Sequence, residues 1–366
     1  MILEVHGDVC RLGYLKVVAC LLEDGVPRSP DYLSSLLLET SKTAENDAVE
    51  QLGLLRTEVN ATNYVKLASE LGFYDKSTGG LGPFGAAYIC MNSASHLKKH
   101  ITGEDTALLS RILALGESEK ILLLHALLSK DFHMISNILL WAAKTREFTR
   151  QQAMEVIMEE IYPEALRRVA KKLTDRRRQL VLKELESAAR FREERLGYSK
   201  VEWIRSRLYA KYRHTVPPRL EWLSDLGLLD KPRRGKYMVS KILMKNFREL
   251  EIVLNKPVER LDQSFFSYFV QSVLPLRSAG RQVEAQFLTE AYRVLSKAVH
   301  KVRLDVLCLA TAYRMIDAGY RSTPATVSQT FSYLSFLYSD RVFANYSEDG
   351  SPEVSGLDIE LSEMNE

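Results

Sequence analysis

Apolar residues recur at spacings of three and four through residues 107–115, 121–128, 135–143 and 283–299. That period sets them on one face of an α-helix, so the pattern predicts a mainly α protein. Strand-like stretches are few and short, at 2–5, 87–91, 237–239 and 342–346. The apolar runs 121–124 and 138–143 are separated by Lys130, Asp131 and His133, and none reaches the roughly 18 residues that a membrane-spanning helix needs. No membrane partner is expected.

Two stretches, 64–76 and 219–231, align without gaps. Ser69, Leu71, Gly72, Asp75 and Lys76 of the first match Ser224, Leu226, Gly227, Asp230 and Lys231 of the second, and Phe73 and Tyr74 face Leu228 and Leu229. In each, an amphipathic helix ends at a glycine suited to a left-handed cap, an apolar pair re-enters the core as a short strand, and a glycine-bearing turn follows. That order resembles the recognition helix and wing of the winged-helix superfamily, a helix-turn-helix fold with a small appended sheet.

In the first copy the resemblance implies a leading helix over 47–55, a turn at 57–60, a recognition helix over 62–71 and a wing tip at 77–85. In the second it implies a leading helix over 201–212, a turn at 213–215, a recognition helix over 217–226 and a wing at 232–236. Pro217 and Pro218 suit the first turn of that helix, where a missing N–H costs little. A third stretch runs from 304 to 315, then through Ser322, Thr323 and Pro324 into a helix ending at Leu337, and lacks the Leu-Gly end. It reads either as a third winged helix or as an ordinary helical hairpin.

A chain of 366 residues is too long for one hydrophobic core. The expected organisation is tandem winged-helix domains with short β wings joined by a helical region. An N-terminal winged-helix domain (1–103) is followed by a helical connecting region (104–197), a basic winged-helix domain (198–250) and a helical C-terminal domain (251–346) containing the third stretch. An acidic tail (347–366) with seven Asp and Glu and no Lys or Arg closes the chain. Such a composition lacks the material for a packed core, so the tail is expected to be disordered.

The net charge of +3 conceals a segregation: residues 166–250 hold 24 Lys and Arg against 10 Asp and Glu, and the remainder holds 26 against 37. That asymmetry is a footprint for a polyanion, although a solvated helix face gives a milder version of it. Lys211, Arg213, His214, Thr215 and Arg219 cluster at the start of the second recognition helix, and Lys231, Arg233, Arg234 and Lys236 lie at its wing. In winged helices those two places touch double-stranded DNA, the helix start at base edges and the wing at phosphate. Arg219 is expected to read guanine through a bidentate contact. Arg176, Arg177 and Arg178 read as a further phosphate stripe or as a solvated face.

The first copy differs, since between 44 and 92 only Arg56, Lys66 and Lys76 stand against Glu45, Asp47, Glu50, Glu58, Glu70 and Asp75. It reads as a structural or protein-binding winged helix. In the tail, Leu357, Ile359 and Leu361 alternate with Asp358 and Glu360, a pattern suited to capturing a partner's sheet edge, or to a plain solubilising tail.

Other chemistry finds little support. Gly80, Gly82 and Gly85 satisfy GxGxxG, but they follow a helix, enclose Pro83 and belong to no βαβ unit, so no dinucleotide cofactor is expected. His96 and His100 share the spacing of paired zinc ligands without a third donor and flank Lys98 and Lys99, so no metal is expected. Cys10, Cys20, Cys90 and Cys308 form no CxxC pair and read as core residues. GxSxG, Walker A and HExxH are absent from the sequence, which leaves an enzyme unsupported. The expectation is a cytoplasmic, non-catalytic double-stranded DNA-binding protein, either a transcriptional regulator or the recognition subunit of a DNA-processing or defence assembly. A protein-interaction scaffold whose winged helices are interfaces is the competing class, and a homodimer is left open.

Overall fold

The computed structural model describes residues 2–5, 7, 9–44, 47, 53–101, 108–348 and 350–357. The protein is mainly helical, with 67% helix against 9% strand, and its strands form small antiparallel sheets. It divides into two compact units. The first comprises Met1–Leu12, Glu50–Leu54 and Leu123–Leu261, and the second Gly13–Val49, Leu55–Leu122 and Asp262–Glu366. These units cut across the five consecutive segments expected from the sequence, because stretches remote in the chain share a core.

The second unit begins with α1 (Gly13–Cys20), α2 (Pro30–Thr43) and α3 (Glu58–Glu70), followed by a hairpin of β1 (Tyr74–Asp75) and β2 (Gly80–Leu81). Ser29 caps α2 and Thr57 caps α3, each side chain accepting from a backbone N–H one turn on. The end of α3 is the expected left-handed cap. Gly72 has φ 77°, its N–H donates to Ser69 O, and the Phe73 N–H donates to Ala68 O. Arg28 N–H donates to Gly79 O at 2.8 Å, which sets the extended segment before α2 beside the hairpin tip.

The leading helix expected over 47–55 falls largely outside the described residues, and α2 is the helix that precedes α3. The strand expected over 87–91 is instead the end of a helix and the turn after it: α4 (Pro83–Ile89) leads to α5 (Asn92–Ile101) and α6 (Leu109–Leu113). A short apolar run buried on every side carries no period to tell strand from helix, and Pro83 in the first turn decides for helix.

The long helix α7 (Glu117–Thr145) spans the division between the units. In the first unit it is followed by β3 (Glu147–Thr149), α8 (Arg150–Val156), a π-helical turn (Ile157–Ile161) and α9 (Tyr162–Ala170). Three further helices, α10 (Asp175–Ala189), α11 (Phe191–Gly197) and α12 (Lys200–Arg205), precede α13 (Arg207–Asp225). A hairpin of β4 (Leu229–Arg233) and β5 (Lys236–Val239) comes next, then α14 (Lys241–Lys245) and α15 (Phe247–Leu254). Strand β5 pairs with both β3 and β4, giving the order β3-β5-β4.

The end of α13 repeats that of α3: Gly227 has φ 69°, its N–H donates to Ser224 O, and Leu228 N–H donates to Leu223 O. Its start departs from expectation. Helix α13 opens at Arg207, is capped by Ser206 and runs unbroken through Pro217 and Pro218, so the turn expected at 213–215 is helix. Interior prolines remove two helical donors. Beside the gap they leave, the carbonyl of Thr215 accepts from Arg219 Nη1 at 2.8 Å.

The second unit resumes with α16 (Leu261–Ser264), a π-helical turn (Phe265–Val270), α17 (Gln271–Val273) and α18 (Arg281–Ala298). Then come β6 (Val302–Arg303), α19 (Leu304–Asp317), α20 (Pro324–Leu337), β7 (Val342–Tyr346) and β8 (Pro352–Leu357). Their sheet order is β6-β8-β7. Residues 352–357 were expected to belong to a disordered tail and are a strand, because β7 supplies a partner and Val354 and Leu357 reach the core. No strand forms over residues 2–5, where Leu3 is held by the side chains of Asp131 and Arg219 instead of a neighbouring strand.

Helix α4 packs against α18 and α19, joining early and late parts of the chain in one unit. Arg314 fastens this junction, donating to Cys90 O at 2.7 Å and pairing with Glu290 at 2.6 Å.

Candidate nucleic-acid interface

Helix α13 offers only its first half to solvent. Arg207, Ala210 and Arg213 are exposed, Lys211 and His214 are half-buried, and from Thr215 to Leu223 every side chain except Pro217 is buried. The start of the chain covers this second half. Trp222 Nε1 donates to Val9 O at 2.7 Å, Arg219 Nη2 to Leu3 O at 3.0 Å, and Leu12 N–H to Asp225 Oδ2 at 3.0 Å. His214 Nδ1 lies 3.3 Å from Gly7 O. One face of the helix, residues 214, 219, 222 and 225, is thus a dock for this strap.

Arg219 is therefore not a base reader. It is 1% exposed, and its Nε donates to Asp131 Oδ2 at 2.7 Å. Asp131 is itself 0% exposed, sits at a break in α7 and accepts the Leu3 N–H at 3.1 Å through Oδ1. Burial pushes the Asp131 carboxyl above its ordinary value, against the opposing pull of the Arg219 guanidinium. Thr215, also expected at the DNA, is buried as well. The fault in both expectations is the helix start: taking Pro217 as its first turn puts Arg219 at an open end instead of mid-helix.

A second buried carboxylate gathers the strap, the helix and the hairpin. Glu221, 1% exposed, accepts from Lys231 Nζ at 2.6 Å, Tyr237 OH at 2.9 Å and Arg11 Nη2 at 3.2 Å, with Arg150 at 3.7 Å. Arg11 also pairs with Asp225. Burial pushes the Asp225 carboxyl up to about 6, although Arg11 opposes the shift. Lys231 is thus tied to an internal carboxylate, Lys236 pairs with Glu147 on β3, and Lys211 pairs with Glu184 at 3.3 Å while lying over the Tyr162 ring.

The remaining expected cations face outward. Arg233 and Arg234 form the exposed tip of the β4-β5 hairpin and have no ion pair among the described residues, and Arg213 is exposed on α13. The structure adds Arg205 and Arg207, exposed at the α12-α13 junction, which the misplaced helix start had hidden. Arg176, Arg177 and Arg178 are exposed in the first turn of α10, where cations oppose the helix dipole.

The other sequence candidates resolve as follows. Leu357 is buried and pairs with Val342, so it cannot capture a partner, while Ile359 and Leu361 lie outside the described residues. A Cβ on Gly82 would meet Gly72 O at 2.4 Å and one on Gly85 would meet Phe73 O at 2.2 Å, so these glycines let α4 close on the end of α3. Among the described residues no group of three or more His, Cys, Asp or Glu could hold a metal ion. Burial pushes the thiols of Cys20, Cys90 and Cys308 up to about 12. No helix among the described residues is long and apolar enough to cross a membrane. No protein-family model matches the chain, and neither a curated protein nor a solved structure matches it.

Proposed function

We propose that this is a non-catalytic double-stranded DNA-binding protein built from three winged helices. In the first unit α7, β3, α8 with α9, then α13 after the intervening α10 to α12, and the β4-β5 hairpin give the order, and the strand after the first helix pairs with the second hairpin strand. In the second unit α18, β6, α19, α20 and the β7-β8 hairpin repeat that order with the same pairing. The run from α1 through β2 follows it too, with the Arg28–Gly79 hydrogen bond in place of the paired strand. Helix, strand, helix, helix, hairpin is the winged-helix order.

The observation that carries DNA binding is the hairpin tip with Arg233 and Arg234 exposed and without an ion pair among the described residues, on the unit whose α12 and α13 present Arg205, Arg207 and Arg213. Because the second half of α13 is buried, this copy would hold phosphate more than base edges. The role would be that of a transcriptional regulator or a DNA-recognition subunit. Fluorescence anisotropy of the full chain with a labelled random-sequence duplex tests it: binding is expected at about 50 mM salt, where the electrostatic contribution is large. No binding there would end the proposal.

A scaffold role has one observation in its favour. Leu180, Leu196, Tyr198, Val201 and Ile204 are between 43% and 66% exposed on α10 to α12 and the segment joining them, and such apolar exposure suits a protein partner. Under that reading, Leu196→Lys with Val201→Lys abolishes self-association or partner capture. Unchanged behaviour in sedimentation and capture assays would remove it.

A further inference from the structure

Helix α20 differs from α13 in both charge and exposure. Its sequence, PATVSQTFSYLSFL, contains no charged residue. Yet Ala325, Thr326, Gln329, Ser332, Tyr333 and Phe336 are exposed along its whole length, at spacings that make one stripe of a helix. The opposite face, with Val327, Thr330, Phe331 and Leu334, is buried, and a Thr323–Thr326 capping box with Pro324 fixes where the helix starts.

Guanidinium groups flank this neutral stripe. Arg277, Arg281 and Arg321 are exposed and have no ion pair among the described residues. Arg321 N–H donates to Arg277 O at 2.7 Å, which holds those two backbones side by side. The Arg277 guanidinium lies 4.1 Å from the Tyr320 ring, and that of Arg281 lies 4.2 Å from the Tyr333 ring on the stripe itself. Glu284, the carboxylate at the start of α20, is engaged by the hydroxyls of Thr326 at 2.9 Å and Thr330 at 2.5 Å.

We propose that α20 is the base-reading element of this protein and enters the major groove of duplex DNA. A helix about 10 Å across fits a groove about 12 Å wide. The stripe offers groups that discriminate bases: Gln329 for the adenine edge, Ser332, whose hydroxyl donates to Ser328 O at 3.0 Å, as an acceptor, and Ala325 and Phe336 for thymine methyls. The exposed guanidinium groups of Arg277, Arg281 and Arg321 complement phosphate, and that positive charge beside a neutral stripe favours duplex DNA as the occupant. The inference rests on the DNA-binding reading and divides the labour within it. The first unit supplies salt-dependent affinity, and α20 supplies discrimination.

The test begins with selection of a preferred site from a random duplex pool by the full chain, followed by affinity for that site and for a scrambled duplex. Gln329→Ala with Ser332→Ala should lower the ratio of the two affinities about tenfold or more. Both positions are exposed and alanine favours helix, so the fold should survive, which circular dichroism verifies. Arg233→Ala with Arg234→Ala should weaken both duplexes in proportion and leave the ratio intact. An unchanged ratio in the α20 variant overturns the inference, as does a wild-type chain that binds duplex without selecting any site. The latter result leaves the proposed function standing, whereas failure to bind any duplex removes both.

Discussion

Replacing Arg219 by Ala is the sharpest probe of how the first unit is held together. The side chain is buried, pairs with a fully buried Asp131 at 2.7 Å and donates to the carbonyls of Leu3 and Thr215. Its removal leaves a buried carboxylate without its countercharge, a change that costs about 3–5 kcal/mol, a large share of the 5–15 kcal/mol typical of total stability. Adding Asp131→Asn removes the stranded charge and keeps an acceptor for the Leu3 N–H, so the double variant should recover about 2 kcal/mol of that loss.

Urea denaturation followed through tryptophan fluorescence, to which buried Trp222 contributes together with Trp141 and Trp203, measures both effects. The two substitutions are coupled, and a double-mutant cycle reads the coupling directly. If Arg219→Ala were as stable as wild type within about 0.5 kcal/mol, while losing affinity only for a preferred DNA site, Arg219 would be a base reader and the reasoning would be refuted.

Asp225 predicts a pH dependence. Its carboxyl is pushed up to about 6 from an ordinary 3.8, so its contribution to stability is fully present below about 4 and is lost as pH rises through about 6, by up to ~3 kcal/mol. Urea midpoints between pH 4 and 7 should show that decline in wild type and not in Asp225→Asn, and parallel profiles would contradict it. Gly85→Ala should destabilise by about 1–3 kcal/mol or more, because its Cβ would press on the Phe73 carbonyl; an unchanged melting temperature would refute that packing. Cys20, Cys90 and Cys308, with thiols pushed up to about 12, should resist a thiol reagent at pH 8 until the chain is unfolded, and rapid labelling of the native protein would argue otherwise.

Local chemistry was legible in the sequence where a single residue type decides a conformation. Gly72 and Gly227 cap α3 and α13 with the same hydrogen bonds 155 residues apart, as their matched surroundings imply, and Thr323 with Pro324 opens α20 where expected. Features that depend on remote partners were not legible. Strand β3 has three residues, one of them buried, and is recognised only through β5. Pro217 and Pro218 carry the signature of a helix start, yet tertiary packing accommodates them mid-helix.

The candidate site suffered from the same cause. Arg219 and Asp131 lie 88 residues apart, and Lys231, Lys211 and Lys236 are each answered by a carboxylate that no spacing rule connects to them. The basic segment is real in the sequence, but folding spends several of its charges internally and leaves Arg205, Arg207, Arg213, Arg233 and Arg234 outward.

The central claim, that these outward cations hold DNA phosphate, is tested most directly by the salt dependence of duplex affinity. Each phosphate contact contributes roughly −0.9 to the slope of log affinity against log salt. Replacing Arg233 and Arg234 by Ala should therefore flatten the slope of the full chain by about 1.8 on random-sequence duplex. The same slope in variant and wild type, or an affinity indifferent to salt, would contradict the account.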